Sequence, residues 1–168
     1  DVDNAMNELS VTATTTNTEL GMTLSDKEIS FTPDENYFGQ GVVTVTVSDG
    51  FLTGSEVFEL TVNPANDPPI LDEIGWQITD EDVPLEIVLS AVDVDEDSLI
   101  FEATPFGPDV STVINGDTLL LIPDENWYGE VDIMVTVSDG QAGDSEIWSI
   151  TVTPVNDDPV LTEIGAQV

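Results

Sequence analysis

P-D-E-N-Y-F-G at residues 33 to 39, V-T-V-S-D-G at 45 to 50, N-D-P-P at 66 to 69 and E-I-G-W-Q at 73 to 77 form one text. It returns as P-D-E-N-W-Y-G at 123 to 129, V-T-V-S-D-G at 135 to 140, N-D-D-P at 156 to 159 and E-I-G-A-Q at 163 to 167. The offset is 90 residues throughout. A period that long exceeds a solenoid unit and suits a small domain, so the 168-residue chain reads as a tandem array.

Around these motifs the apolar residues alternate with period 2, and no stretch sustains a helical stripe, so the fold class is all-β. In the second copy the alternation predicts strands over 74–79, 85–91, 98–104, 110–114, 118–122, 131–137 and 145–153, separated by turn clusters such as Asn115-Gly116-Asp117. Seven short strands in about 90 residues is the count of an immunoglobulin-like sandwich. A core-facing residue must keep its parity between copies. Val43, Val45 and Val47 match Ile133, Val135 and Val137; Leu9, Val11 and Ala13 match Leu99, Phe101 and Ala103; Phe58, Leu60 and Val62 match Trp148, Ile150 and Val152. These are the expected inward faces. Leu120 and Ile122 break the pairing, because their partners are Ser30 and Thr32.

The alignment predicts a first repeat over 1–66 that lacks its first two strands, a complete repeat over 67–157, and the first strand of a following repeat over 158–168. On this reading the natural chain continues in both directions. The shortened first repeat would expose a sheet edge, and residues 160–168 are an available donor for strand exchange with another copy.

Composition narrows the chemistry. There are 35 Asp and Glu against the single Lys27, with no His and no Cys. A net charge of −34 repels nucleic acid and anionic membranes and favours cations. The missing His and Cys remove disulfides, thiolate sites, and the commonest general base and zinc ligand, leaving hard oxygen chemistry. No apolar run approaches the ~18 residues of a membrane helix. Sixteen of the 35 acids fall in eight matched pairs: Asp34/Asp124, Glu35/Glu125, Asp49/Asp139, Glu56/Glu146, Asp67/Asp157 and Glu73/Glu163 at the offset of 90, and Asp1/Asp93 and Asp3/Asp95 at 92, across a two-residue indel, so position matters for these beyond mere charge.

Asp93-Val94-Asp95 sets alternate acids on one side of an extended segment, where two carboxylates can reach one ion. Asp97 extends the series to D-x-D-x-D. An EF-hand reading fails, since Ser98 stands where Gly is needed, Thr104 where the last Glu is needed, and Ala5 aligns with Asp97.

Residues 80–95, D-E-D-V-P-L-E-I-V-L-S-A-V-D-V-D, resemble the start of a cadherin repeat. V-T-V-S-D-G resembles its penultimate strand, and N-D-x-P its linker. The chain is most similar to bacterial cadherin-like, immunoglobulin-like repeats of large secreted proteins or adhesins. That resemblance implies tandem antiparallel β-sandwiches with calcium at the junctions. Carried over by position, the internal junction would use Glu35, Asn66, Asp67, Asp93, Asp95 and Asp139. Half-sites would remain at Asp1, Asp3 and Asp49, and at Glu81, Glu125, Asn156 and Asp157. The cadherin D-R-E is Pro-Asp-Glu here, and the shortened first repeat has no equivalent of Glu81.

The implied function is a calcium-rigidified spacer or adhesive stalk, extracellular, with neighbouring repeats as partners. A second reading is an accessory carbohydrate-binding module of a polysaccharide-degrading enzyme. Trp148 matches Phe58 on a core face, and Trp127-Tyr128 matches Tyr37-Phe38 in a turn expected to plug the sandwich, whereas Trp76 matches only Ala166 and is the candidate sugar contact. An enzyme is not expected, because no nucleophile–base set or phosphate loop is present and catalytic sites are seldom built twice.

Overall fold

The computed structural model describes residues 8–161 and 165. It divides into two compact units, Asp1–Ala65 and Asn66–Val168.

The second unit is a two-layer sandwich. One layer has the order β10-β13-β14-β7, with β7 Gln77–Asp80, β10 Ile100–Pro105, β13 Gly129–Ser138 and β14 Gly143–Thr153. The other has the order β11-β12-β8, with β8 Leu85–Val88, β11 Val110–Asn115 and β12 Thr118–Pro123. A short antiparallel pair, β6 Ile70–Leu71 with β9 Ala91–Val92, closes one end. Leu89, Val110, Leu119, Leu121, Ile133, Val135, Trp148 and Ile150 make the core. Each such side chain contributes about 1.5–3 kcal/mol by leaving water.

Two predicted strands are broken in the structure. The segment expected over 74–79 pairs only as β7, because Gly75 at φ 70° turns the chain out of extended geometry. After that turn β7 runs parallel to β14, pairing Gln77 with Ile150 and Thr79 with Val152, while the other strand pairs among the described residues are antiparallel. The strand expected over 85–91 splits into β8 and β9 around buried Leu89, whose N–H bonds Asp117 O at 2.7 Å. Leu120 and Ile122 lie on the outer parity of β12, with Leu119 and Leu121 fully buried between and beside them. The two residues are therefore apolar additions to an outward face and leave the core register intact.

The first unit repeats β10 to β14 as β1 Ser10–Thr15, β2 Met22–Ser25, β3 Glu28–Phe31, β4 Gly39–Ser48 and β5 Thr53–Val62. Its sheets have the orders β1-β4-β5 and β2-β3. A 3-10 turn, Thr18–Leu20, carries Leu20 into the interior. Asn17 Oδ1 caps it by accepting from Glu19 N at 2.9 Å. Phe31 and Phe58 meet edge to face, with centroids 6.5 Å apart. Phe58 is 39% exposed, whereas its counterpart Trp148 is 6% exposed.

The repeated P-D-E-N-x-x-G is a tight turn. Asn36 and Asn126 take left-handed φ values of 60° and 58°, which Asn tolerates. Tyr37 N and Trp127 N close the turn on Asp34 O and Asp124 O, both at 3.1 Å. The first aromatic then folds back over the glycine, so that a Cβ on Gly129 would lie 3.2 Å from Trp127. Trp127 packs on the core. Phe38 and Tyr128 do not plug the sandwich as expected; both are 59% exposed. Alternation explains this, since neighbours in an extended segment face opposite sides.

Candidate metal centre

Residues 93–97 follow β9 and curl round one carboxylate. Asp93 Oδ1 accepts from Asp95 N at 2.9 Å and from Asp97 N at 3.2 Å. Glu96, at φ 60°, supplies the left-handed step that lets the loop close. Asp93 Oδ2 is closed to solvent and has no hydrogen-bond partner. Leaving such a group unpaired is unfavourable by about 1–3 kcal/mol, and more for a charged one. The carboxylates of Asp93, Asp95 and Asp97 offer oxygens that all lie within 4.8 Å of one another. Asp67 N donates to Asp95 Oδ2 at 2.7 Å, bringing residue 67 against the loop.

The donor set fits calcium on its chemistry. Every group is a hard oxygen, the loop brings three carboxylates together at its surface, and Asp93 presents one buried oxygen that a cation would satisfy. Calcium takes 6–8 oxygens, so backbone carbonyls or water would complete its shell.

A clasp lies in the same unit at the β13–β14 turn. Asp139 Oδ1 accepts from Gln141 N and Ala142 N, both at 2.6 Å, and its Oδ2 accepts from Asn66 Nδ2 at 2.8 Å. Gln141 Nε2 donates to Asn66 Oδ1 at 2.7 Å. Asn66 thus bonds both ways to the turn and belongs to the second compact unit. The Ala142 N–H, then the Asn66 amide and the Gln141 N–H, hold the Asp139 carboxyl below its usual range. Asp49 in the first unit is held down in the same way by Leu52 N–H and then Phe51 N–H. Asp144 is lowered by Leu71 N–H and then Ser145 N–H.

The sequence-derived ligands therefore fall into separate groups. Asp93 and Asp95 meet, with Asp67 beside them through its backbone. Asn66 and Asp139 are joined to each other and occupied as hydrogen-bonding partners in the clasp. Glu35 is exposed in the turn before β4 of the first unit, and Asp49 caps the β4–β5 turn there. Asp1 and Asp3 lie outside the described residues. Glu81 is 5% exposed; its Oε1 accepts from Val155 N at 2.5 Å and its N–H donates to Thr153 O at 2.9 Å. Neighbouring Asp82 Oδ1 accepts from Asn126 N at 2.9 Å, next to exposed Glu125. Asn156 Nδ2 donates to Asp157 O at 3.0 Å, as Asn66 Nδ2 does to Asp67 O at 3.2 Å.

Asp97 is not among the ligands expected from the sequence, although the D-x-D-x-D spacing is its signal. Gln141 carried none, because its counterpart is Phe51. Among the described residues, Asp93, Asp95 and Asp97 are the group of three acids close enough to share an ion.

Fold and loop geometry together define a class of β-sandwich repeats with acidic loops at their ends. The profile of the Bacterial Ig domain matches residues 1–62 and 66–153, and the chain belongs to that family. Among solved structures it is similar to the EC1-2 region of human protocadherin-24, with 15% identity, 89% of this chain and 83% of that one covered, and a TM-score of 0.57. That likeness shows a cadherin-like sandwich fold. The chain is also similar to an endo-fucoidan hydrolase from glycoside hydrolase family 107, with 20% identity over 88% of this chain and a TM-score of 0.43. It spans 24% of that hydrolase. No curated protein matches. Among the described residues no helix is long and apolar enough to cross a membrane.

Proposed function

We propose that the chain is a calcium-binding spacer or stalk segment of an extracellular bacterial protein, with no catalytic role of its own. The supporting observation is Asp93 Oδ2, a buried carboxylate oxygen without a partner inside a group of three carboxylates. An ion there would be held by Asp93, Asp95 and Asp97, and it would fix the loop against which Asp67 lies. The Asn66–Asp139–Gln141 clasp already fastens the residue before it. Binding would thus stiffen the leading segment of the second repeat, which joins it to the first. Extracellular modules of this kind bind calcium at ~10⁻⁴ to 10⁻³ M.

Calorimetric titration of chelator-treated protein with calcium chloride tests this reading. It should show saturable binding in that range, with a rise in the thermal midpoint of the second unit. Absence of both heat and stabilisation at 10 mM calcium would sink it. A second reading, polysaccharide contact, is supported by Trp76, which is 71% exposed beside half-exposed Ile78. Saturable quenching by a polysaccharide, lost in Trp76→Ala, would favour that reading, whereas no quenching by any of a panel would remove it.

A further inference from the structure

The outer face of the sheet β10-β13-β14-β7 carries a row of side chains that runs from one edge to the other. Phe106 follows β10, and its N–H donates to Asp132 O on β13 at 2.8 Å. Asp132 pairs with Ser149 on β14, and Ser149 Oγ donates to Asp132 Oδ1 at 2.5 Å. Gln77 on β7 pairs with Ile150, so the same parallel register sets Trp76 opposite Ser149. Ile133 and Ile150, next in sequence to Asp132 and Ser149, are fully buried, and alternation therefore turns the row outward. Phe106 is 58% exposed, Trp76 more so, and Asp132 and Ser149 are exposed between them. With strands about 4.8 Å apart, three steps set the two rings about 14 Å from each other.

The first unit shows that the fold does not require these side chains. Thr16 N donates to Val42 O there at 3.0 Å, the same backbone bond as that from Phe106 N to Asp132 O. Glu59 stands at the place of Ser149. The same sheet is thus built with Thr, Val and Glu at the three positions, and packing leaves Phe106, Asp132 and Ser149 unexplained.

Two exposed rings with a hydroxyl and a carboxylate between them suit a partner that presents flat apolar faces and hydroxyl groups along its length. A protein interface sets its aromatic anchors at the centre and polar groups at the rim, the reverse of this row. Nucleic acid bases stack on exposed rings, but a chain of net charge −34 repels their phosphates, and it repels sulfated and uronic acid polymers in the same way. Exposed Glu130, two residues from Asp132 on the same face, adds to that repulsion locally. An uncharged chain of sugar rings meets both demands.

We propose that Trp76, Ser149, Asp132 and Phe106 form a binding strip for a neutral polysaccharide laid across the strands. This rests on the second reading above, in which Trp76 contacts a polysaccharide, and adds to it a far anchor, a polar middle and the charge class of the partner. Trp76 and Phe106 cover sugar faces at the two ends. Between them Asp132 Oδ2 accepts from a sugar hydroxyl, and Ser149 Oγ, which donates to Asp132, can accept from another. A single sugar cannot reach both rings, so affinity should rise with chain length.

Affinity electrophoresis through gels holding laminarin, galactomannan or alginate tests this, in chelator so that the Asp93 loop plays no part. At least one of the two neutral polymers should retard the chain, and anionic alginate should not. Phe106→Thr and Asp132→Val install the residues of the first unit, so they should fold, and each should weaken the retardation about fivefold or more. Short oligosaccharides of the retarding polymer should compete with it, and its single sugar should not. Retardation lost in Trp76→Ala but unchanged in Phe106→Thr and Asp132→Val would overturn the strip and leave the Trp76 contact standing. Retardation by alginate as strong as by either neutral polymer would overturn the charge class, and no retardation by either neutral polymer would remove both the strip and the reading beneath it.

Discussion

Replacing Asp93→Asn separates the two jobs of this residue. Asn keeps an Oδ1 that can accept from Asp95 N and Asp97 N, so the loop should stay curled. It removes one charge from a group of three whose oxygens lie no more than 4.8 Å apart. At 4.8 Å each pair repels by about 0.9 kcal/mol in a water-like dielectric, and 0.15 M salt roughly halves that. Losing two such pairs should therefore stabilise the ion-free protein by about 1 kcal/mol, or about 5 °C in the midpoint of a domain of this size. Calcium should act in the opposite sense on the pair of proteins. At 100 times its dissociation constant it adds about 2.7 kcal/mol to the wild type, on the order of 10 °C, and little to the variant. The assay is thermal melting followed by tryptophan fluorescence, because Trp76, Trp127 and Trp148 all lie in the second unit and report on it alone. Equal calcium shifts in both proteins would refute the reasoning. So would a variant that is markedly less stable than wild type in chelator, since Asp93 would then serve the fold without an ion.

Asp139 has a depressed folded-state pKa, so its stabilising effect is fully present above the ordinary carboxyl value near 3.8 and is lost as pH falls through the lower folded value. Asp139→Asn should flatten the acid limb of a stability–pH curve below about pH 4, and an unchanged limb would count against the clasp. Glu81→Ala removes a buried acceptor from Val155 N, and urea unfolding followed by tryptophan fluorescence should show a loss of about 1–3 kcal/mol; a loss below about 0.5 kcal/mol would mean that water replaces the bond. Gly129→Ala places a Cβ 3.2 Å from Trp127 at φ 153°, so the same assay should show a loss of about 1 kcal/mol or more, together with a changed Trp127 emission. Its absence would mean that the turn relaxes freely.

Much of the fold was legible because the chain states its pattern twice. Parity between copies identified the inward faces of β10, β13 and β14, and burial follows it at Ile133, Val135, Val137, Trp148 and Ile150. Parity compares like with like, so it did not reveal where a segment changes sheets. The turn at Gly75, the parallel β7–β14 pair and the split between β8 and β9 depend on backbone dihedrals and on partners about 70 residues away in the case of β7.

The site divides along the same line. Matched acids marked Asp93, Asp95, Asp67 and Asp139 among the eight pairs held in position, and strand spacing set Asp93 and Asp95 on one side, whereas the resemblance to cadherin repeats grouped the four. Asp97 and Gln141 have no matched counterpart, and only the closing of the 93–97 loop and the docking of Asn66 on the β13–β14 turn gave them a place. By itself the sequence determined an all-β tandem repeat, its inward faces and its acidic, oxygen-only chemistry, because alternation and composition are local properties of the chain. Tertiary structure alone decided which oxygens are already occupied by N–H groups and which one, Asp93 Oδ2, is buried without a partner, because hydrogen-bond saturation depends on groups far apart in the chain.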